Sequence, residues 1–165
     1  MNKVFFIGDT HFGHKGILKF DSTKPFRNFE SIQDHDDELI KRWNNVVKKN
    51  DTVWVLGDFC FGRENIAIAN KLNGWKKLVM GNHDVYSADY IYSKYFEKVY
   101  GAIEYKSMIL THIPVHESQF SRYSKNIHGH LHSNKIDDKR YINVSAEQID
   151  LTPISYENLM EKYKC

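Results

Sequence analysis

The sequence predicts an α/β fold, and three observations carry the prediction. Short apolar runs at residues 4–7, 53–56 and 78–80 each stop at a glycine followed at once by an oxygen-bearing side chain: Gly8-Asp9, Gly57-Asp58 and Gly81-Asn82. Segments whose apolar residues recur at helical spacing follow the first two runs. A content of 41% apolar and 14% aromatic residues supplies enough core for a globular chain and argues against disorder. A run of β-favouring residues reads as a buried strand, and the glycine lets the backbone leave it sharply. The next side chain is thereby brought close to whatever is bound there, with Asp58 at the centre.

The elements follow in order. Residues 4–7 form the first strand and lead into Gly8-Asp9-Thr10-His11-Phe12-Gly13-His14. In extended backbone residues i and i+2 point the same way, so Asp9 and His11 can grip one cation together. Alone, the tripeptide reads equally well as a helix-capping aspartate beside a surface histidine. His14 stands open between touching a substrate and orienting His11. Residues 19–28, with Phe20, Pro25 and Phe26, predict an irregular segment folded over the sheet as a lid. Ser31 starts a helix that reaches residue 49, and Ile32, His35, Leu39, Trp43 and Val46 form its apolar stripe. His35 therefore belongs to the buried face rather than to the chemistry. After Asp58, Cys60 alternates with Phe59 and Phe61 and reads as a packed thiol. Arg63 pairs either a phosphate oxygen or a surface carboxylate, and a helix over 64–73 is closed by Gly74.

A strand over 77–80 ends in Gly81-Asn82-His83-Asp84, and residues 87–96 form a helix whose tyrosines pack on the core. Residues 99–105 and 107–110 form a strand pair, the second running into Thr111-His112-Ile113-Pro114, where the proline ends regular structure. A short strand at 125–127 leads into His128-Gly129-His130-Leu131-His132, and the i, i+2 spacing again sets His130 and His132 side by side. A strand over 141–144 and a helix over 155–163, capped by Ser155, complete the chain. His116 lies outside any such pair and is structural. No repeat, linker or low-complexity tract breaks residues 1–165, which we read as one domain.

A net charge of +2 does not suit a dedicated nucleic-acid binder, which clusters lysine and arginine on one face. Two cysteines, Cys60 and Cys165, make no disulfide framework and fit a reducing, cytoplasmic setting. The four apolar residues before Gly8 are far too few for a signal peptide or a membrane span. Nine histidines, several of them clustered, say more than the net charge does, because histidine is the commonest metal-binding side chain.

Asp9-x-His11, Gly57-Asp58, Gly81-Asn82-His83-Asp84, the strand-end His112 and Gly129-His130-x-His132, each after an apolar run, form a series. That series resembles the signature of the calcineurin-like metallophosphoesterases. The resemblance spans residues 4–132, and Ile142-Asn143-Val144 and Pro153-Ile154-Ser155 look like the small bacterial and phage members. It implies a four-layer α/β/β/α sandwich, two mixed sheets face to face with helices outside and ligands on loops at the strand ends. It also implies two divalent ions, one held by Asp9, His11, Asp58 and His132, the other by Asp58, Asn82, His112 and His130, with Asp58 as the bridge. Imidazole and oxygen donors without a thiolate suit manganese, iron, zinc or nickel. Two such ions, two carboxylates and a bridging hydroxide leave a charge of about plus one, which attracts an anionic phosphoester. The bridging hydroxide is the implied nucleophile, and His83 the implied general acid toward the leaving oxygen. Asp84 either orients His83 or caps the next helix. His128 supports the ligands from behind in preference to touching substrate.

The implied activity is phosphoester hydrolysis, with phosphodiesters such as nucleotides or nucleic-acid ends preferred over monoesters. A phosphomonoesterase is one alternative. A nuclease on longer DNA or RNA is another, and needs a basic track to which Lys24, Arg27, Arg122 and Lys125 contribute. A non-catalytic binding scaffold of the same fold is the third. The protein phosphatases of the superfamily place a second acid where Phe61 stands here, which argues against a phosphoprotein substrate.

Overall fold

The computed structural model describes residues 2–84 and 92–163. The described residues form nine strands: β1 (Val4–Ile7), β2 (Thr52–Leu56), β3 (Trp75–Val79), β4 (Lys98–Tyr100), β5 (Ile103–Tyr105), β6 (Met108–Leu110), β7 (Asn126–His128), β8 (Tyr141–Asn143) and β9 (Ile154–Ser155). They assemble into two mixed sheets flanked by helices, ordered β4-β3-β2-β1-β9 and β5-β6-β7-β8. All pairs are parallel except β1 with β9 and β5 with β6. Phe6 of β1 and Trp54 of β2, partners in register, both meet Tyr105 of β5 with ring centres 5.8 and 6.0 Å apart. The sheets therefore face one another, and their apolar side chains form a continuous core.

On the other face of the first sheet lies α1 (Ile32–Val46), which starts where Ser31 Oγ accepts the backbone N–H of Asp34. Its buried residues are His35, Asp36, Leu39 and Trp43, and Val47 takes the core position expected for Val46, which is 36% exposed. The helix stops there because Val47 is already extended. Residues Arg63–Lys71 wind as a 3-10 helix rather than the α-helix the spacing suggested. The expected strand over 99–105 is two strands, β4 and β5, broken at Gly101-Ala102 so that the chain changes sheets there. Of the helix expected over 87–96, Tyr92–Lys94 form a 3-10 turn, and residues 87–91 lie outside the described residues. At the C-terminal end, β9 adds a short antiparallel edge beside β1 before Ser155 caps α2 (Tyr156–Lys162).

Register decides where the functional loops emerge. Ile7 pairs with Val55 and Leu56 with Val79, so β1, β2 and β3 end side by side, and Asp9, Asp58 and Asn82 follow at one edge. In the second sheet Leu110 pairs with Ile127, which delivers the segments after β6 and β7 together. The two sets are joined by Gly8, whose N–H donates to the Val144 carbonyl at 2.8 Å and which bridges to Ser145. Both sheets thus open toward a common cleft at the carboxyl ends of their parallel strands.

Candidate metal centre

Seven side chains expected to converge do so in two groups. Asp9, His11 and His132 each offer one ligand atom within 4.8 Å of the others, and Asp58, His112 and His130 do the same. One oxygen, Asp58 Oδ2, lies 3.7 Å from His11 Nε2 and 3.3 Å from His112 Nε2, and so stands between the groups. The Asn82 side-chain oxygen joins the second group at 3.0 Å from His112 Nε2.

The backbone is strained to reach this arrangement. Asp9, His11, Asp58, His130 and His132 all have φ between 49° and 69°, the left-handed region that costs a residue with a Cβ about 1–2 kcal/mol. Hydrogen bonds over-determine the turns. The His130 N–H donates to the Asp9 carboxylate at 2.9 Å, and the His83 N–H donates to Asp58 Oδ1 at 2.9 Å. Glycine is required where these loops touch: a Cβ on Gly81 would sit 2.2 Å from Asp58 Oδ1, and one on Gly129 would sit 2.5 Å from Asp9 Oδ2.

With the rings neutral, lone pairs fill the space between the groups. His112 Nδ1 lies 2.8 Å from the Leu56 carbonyl, which can only accept, so in the neutral ring Nε2 carries a lone pair. That atom faces Asp58 Oδ2, Asn82 Oδ1 and His130 Nδ1. His132 Nδ1 likewise points to Glu147 Oε1 at 3.0 Å, which leaves its Nε2 free. His11 Nε2 is buried with no hydrogen-bond partner at all. Such convergence of acceptors is repulsive without a cation and favourable with one, so the residues fit divalent ions.

The titration behaviour of the cluster agrees. Burial raises the Asp9 carboxyl to about 6, against the pull of His112 and His132. Burial would lower His112, but the Asp58 hydrogen bond and the fields of Asp9 and Asp58 hold it up at about 9. Burial, then the charges of Arg27 and the neighbouring histidines, push His11 well below its ordinary value. Two carboxylates in a buried site thus draw positive charge, and without a metal ion His112 supplies it as an imidazolium.

Behind the ligands lies a support that the sequence did not announce. Arg27 is fully buried, and its guanidinium donates to Glu147 Oε1 at 2.7 Å, to the Thr10 carbonyl at 3.1 Å and to the Asp9 carbonyl. It also meets His35 Nε2 at 2.8 Å, while His35 Nδ1 is held by Asp36 Oδ1 and Asp36 Oδ2 accepts the Gly13 N–H. A hydrogen-bonded chain therefore runs from α1 through Arg27 and Glu147 to His132. Burial opposes ionisation of Glu147, but His132 and Arg27 outweigh it and bring the carboxyl down to about 2. Neither Glu147 nor the role of Arg27 carried a sequence signal, since their partners are remote along the chain. Arg27 is corrected from the proposed basic track, because no atom of a fully buried guanidinium can touch a nucleic acid.

Other expectations resolve individually. His14 Nδ1 lies 3.1 Å from His11 Nδ1, and its ring stacks on Phe61. His83 is half-buried with its ring centre 5.5 Å from that of His11. The Asp84 carboxylate accepts the N–H groups of Gly81, Asp58 and Phe59, tying the loop after β3 to the loop after β2, and the segment it was expected to cap lies outside the described residues. His128 is buried behind the cluster with Nδ1 on the Gly129 carbonyl and Nε2 unpartnered. Arg63 is exposed and makes no ion pair or hydrogen bond among the described residues. Cys60 is packed, and burial, then nearby carboxylates, push its thiol up to about 12. His116 caps a surface turn by accepting the Ser118 N–H.

Two mixed sheets that deliver histidines and carboxylates from their strand ends to one cleft define a metal-binding α/β protein. The chain belongs to the calcineurin-like phosphoesterase family, whose model matches residues 2–162. It is 35% identical over 180 aligned residues to the uncharacterized protein MJ1445 of Methanocaldococcus jannaschii, covering 99% of this chain and 94% of that one. It is 37% identical over 90 residues to the Gene 66 protein of Mycobacterium phage L5, covering 51% of this chain and 41% of the phage protein. Among solved structures, a protein of unknown function from Aquifex aeolicus, AQ665, superimposes with a TM-score of 0.76 at 27% identity, covering 98% of this chain and all of that one. The nuclease MPE of Pseudomonas putida shares the fold, with a TM-score of 0.54 at 19% identity over 78% of this chain and 61% of its own. No described helix is long and apolar enough to cross a membrane.

Proposed function

We propose that this chain hydrolyses phosphodiesters, nucleotides or nucleic-acid ends among them, with two divalent ions held by Asp9, His11, Asp58 and His132 and by Asp58, Asn82, His112 and His130. The observation that carries the reading is Asp58 Oδ2, which lies within 3.7 Å of a histidine nitrogen from each group. Bound there, the ions supply Lewis acidity toward phosphoryl oxygens and an acidified water as nucleophile. The protein's own contribution is to orient. Leu56, Glu147 and His14 fix the ring nitrogens of His112, His132 and His11, and His83 anchors Asp58 through its backbone while its ring stays available to protonate the leaving oxygen. The whole of residues 1–165 serves this one site as a single domain.

The preference for a diester over a monoester is carried over from the resemblance to the small members of the family. Turnover of bis-p-nitrophenyl phosphate and p-nitrophenyl phosphate under Mn²⁺, with metal content measured by elemental analysis, tests both parts. A faster diester is expected. A faster monoester would overturn the substrate preference, and no turnover with metals bound would leave a binding scaffold.

A further inference from the structure

Beside the ligand cluster runs a strip of rings, two of which, Phe20 and Phe61, have no task in the hydrolysis. His14 stacks on Phe61 with ring centres 4.5 Å apart and planes 14° apart, and Phe20 meets His14 edge-on at 5.9 Å. The strip continues to His83, 5.9 Å from Phe61. Phe20 and Phe61 are 50% and 48% exposed, so two phenyl rings at the border of a polar cleft stay half open to water. Covering their exposed faces with a ligand's apolar surface would be favourable. Phe61 is also held in place: its N–H donates to the Phe12 carbonyl at 2.8 Å, and its carbonyl accepts from Asn65 Nδ2 at 2.6 Å. A ring fixed at both sides of its backbone and left uncovered is a preorganised surface.

We propose that Phe61, flanked by Phe20, is a stacking platform for the nucleobase of a nucleoside phosphoester whose phosphoryl group sits at the metal centre. The inference rests on the reading of that centre as a phosphoesterase site. The base is the occupant that the chemistry selects. It is flat, it carries a π face that matches a phenyl ring, and it is tethered to a phosphate by a ribose, so one molecule can fill the charged cleft and cover the ring beside it. An alkyl phosphoester reaches the charged cleft and leaves the rings bare. Stacking of this kind tolerates every base, so the platform separates nucleosides from simple esters and discriminates little among bases.

Metal-loaded protein is assayed on thymidine 5′-(p-nitrophenyl phosphate) and methyl p-nitrophenyl phosphate, which share a leaving group and differ in carrying a nucleoside or a methyl group. The thymidine ester is expected to be preferred. Phe61→Leu is expected to lower its kcat/KM, through KM, by about 10-fold more than it lowers that of the methyl ester, and Phe61→Trp to restore the difference. Equal losses on both esters, or a wild type that does not distinguish them, overturns the platform. If neither ester is hydrolysed, the hydrolase reading fails, and the platform is decided by calorimetric titration of adenosine 5′-monophosphate into the metal-loaded proteins. Roughly 10-fold weaker binding to Phe61→Leu then supports it, and equal affinity or no binding overturns it. Circular dichroism of each variant confirms that it is folded, as expected for a half-exposed position.

Discussion

His83 makes its two contributions through different atoms. Its backbone N–H holds Asp58 Oδ1, a bond that survives any substitution except proline, while its ring lies 5.5 Å from the ring of His11 on the open side of the cluster. His83→Ala therefore removes the proposed acid and leaves the bridge carboxylate anchored. An alkoxide leaving group needs a proton and p-nitrophenolate does not. The variant should accordingly lose about 10²-fold or more on a dinucleotide while losing far less on bis-p-nitrophenyl phosphate. Steady-state rates on the two substrates, with metal content measured alongside, check this, and equal losses with metals retained would remove His83 from that role. Asp58→Asn is the contrasting change. It keeps the shape but removes the negative charge that both groups of ligands share, and elemental analysis should find the metals lost together rather than one at a time.

At the scale of elements, the site depends on α1 and the loop after β8 as much as on the strands. Arg27 and Glu147 form a fully buried ion pair 120 residues apart in sequence, and removing one partner leaves an uncompensated buried charge. Glu147→Gln is expected to destabilise the fold by about 3 kcal/mol and to weaken metal retention by at least about 10-fold, since His132 loses the carboxylate that fixes its ring. Arg27→Met combined with Glu147→Leu separates the two effects. Stability, read from a urea midpoint, should largely return, while metal retention against a chelator should stay weak; tight metal retention in the double variant would reduce the pair to a structural one. The same geometry explains what was legible in the sequence. A strand, a glycine and an acid are neighbours along the chain, so Asp9, Asp58 and Asn82 could be read locally, and His130 and His132 likewise. Arg27, His35, Asp36 and Glu147 support the ligands through contacts that only tertiary packing creates, so Arg27 read as part of a basic track, His35 as a buried helix residue, and Asp36 and Glu147 carried no signal. The break at Gly101-Ala102 escaped for a related reason: β-favouring residues lie on both sides, and only assembly into two sheets separates them.

For the molecule as a whole, histidines buried in neutral form set how stability responds to acid. Burial brings His128 down to about 4, and it also lowers His35, which Asp36 only partly offsets. In metal-free protein His11 is lowered in the same way. Below about 6.5 the unfolded chain takes up protons at these rings that the folded chain refuses, so stability falls as the pH drops toward 4. Asp9 works in the opposite sense. Its folded value near 6 exceeds the ordinary 3.8, so the folded chain binds a proton there first, which offsets about one of the lowered histidines over nearly the same window. Glu147 then adds to the loss, because its contribution is present above about 4.5 and disappears as the pH falls toward 2. His112 contributes on the alkaline side, where stability present below 6.5 fades as the pH rises through about 9. Chelator-treated protein should therefore show a urea midpoint that is highest near neutrality and lower at pH 5, by an amount on the order of 1–3 kcal/mol. His35→Gln, which removes one of the lowered rings without touching the candidate ligands, should shallow the acid slope. A midpoint that is flat or rises between pH 7.5 and pH 5 would mean that His35 and His128 take up protons in the folded state as readily as in the unfolded one, contrary to the effect of their burial.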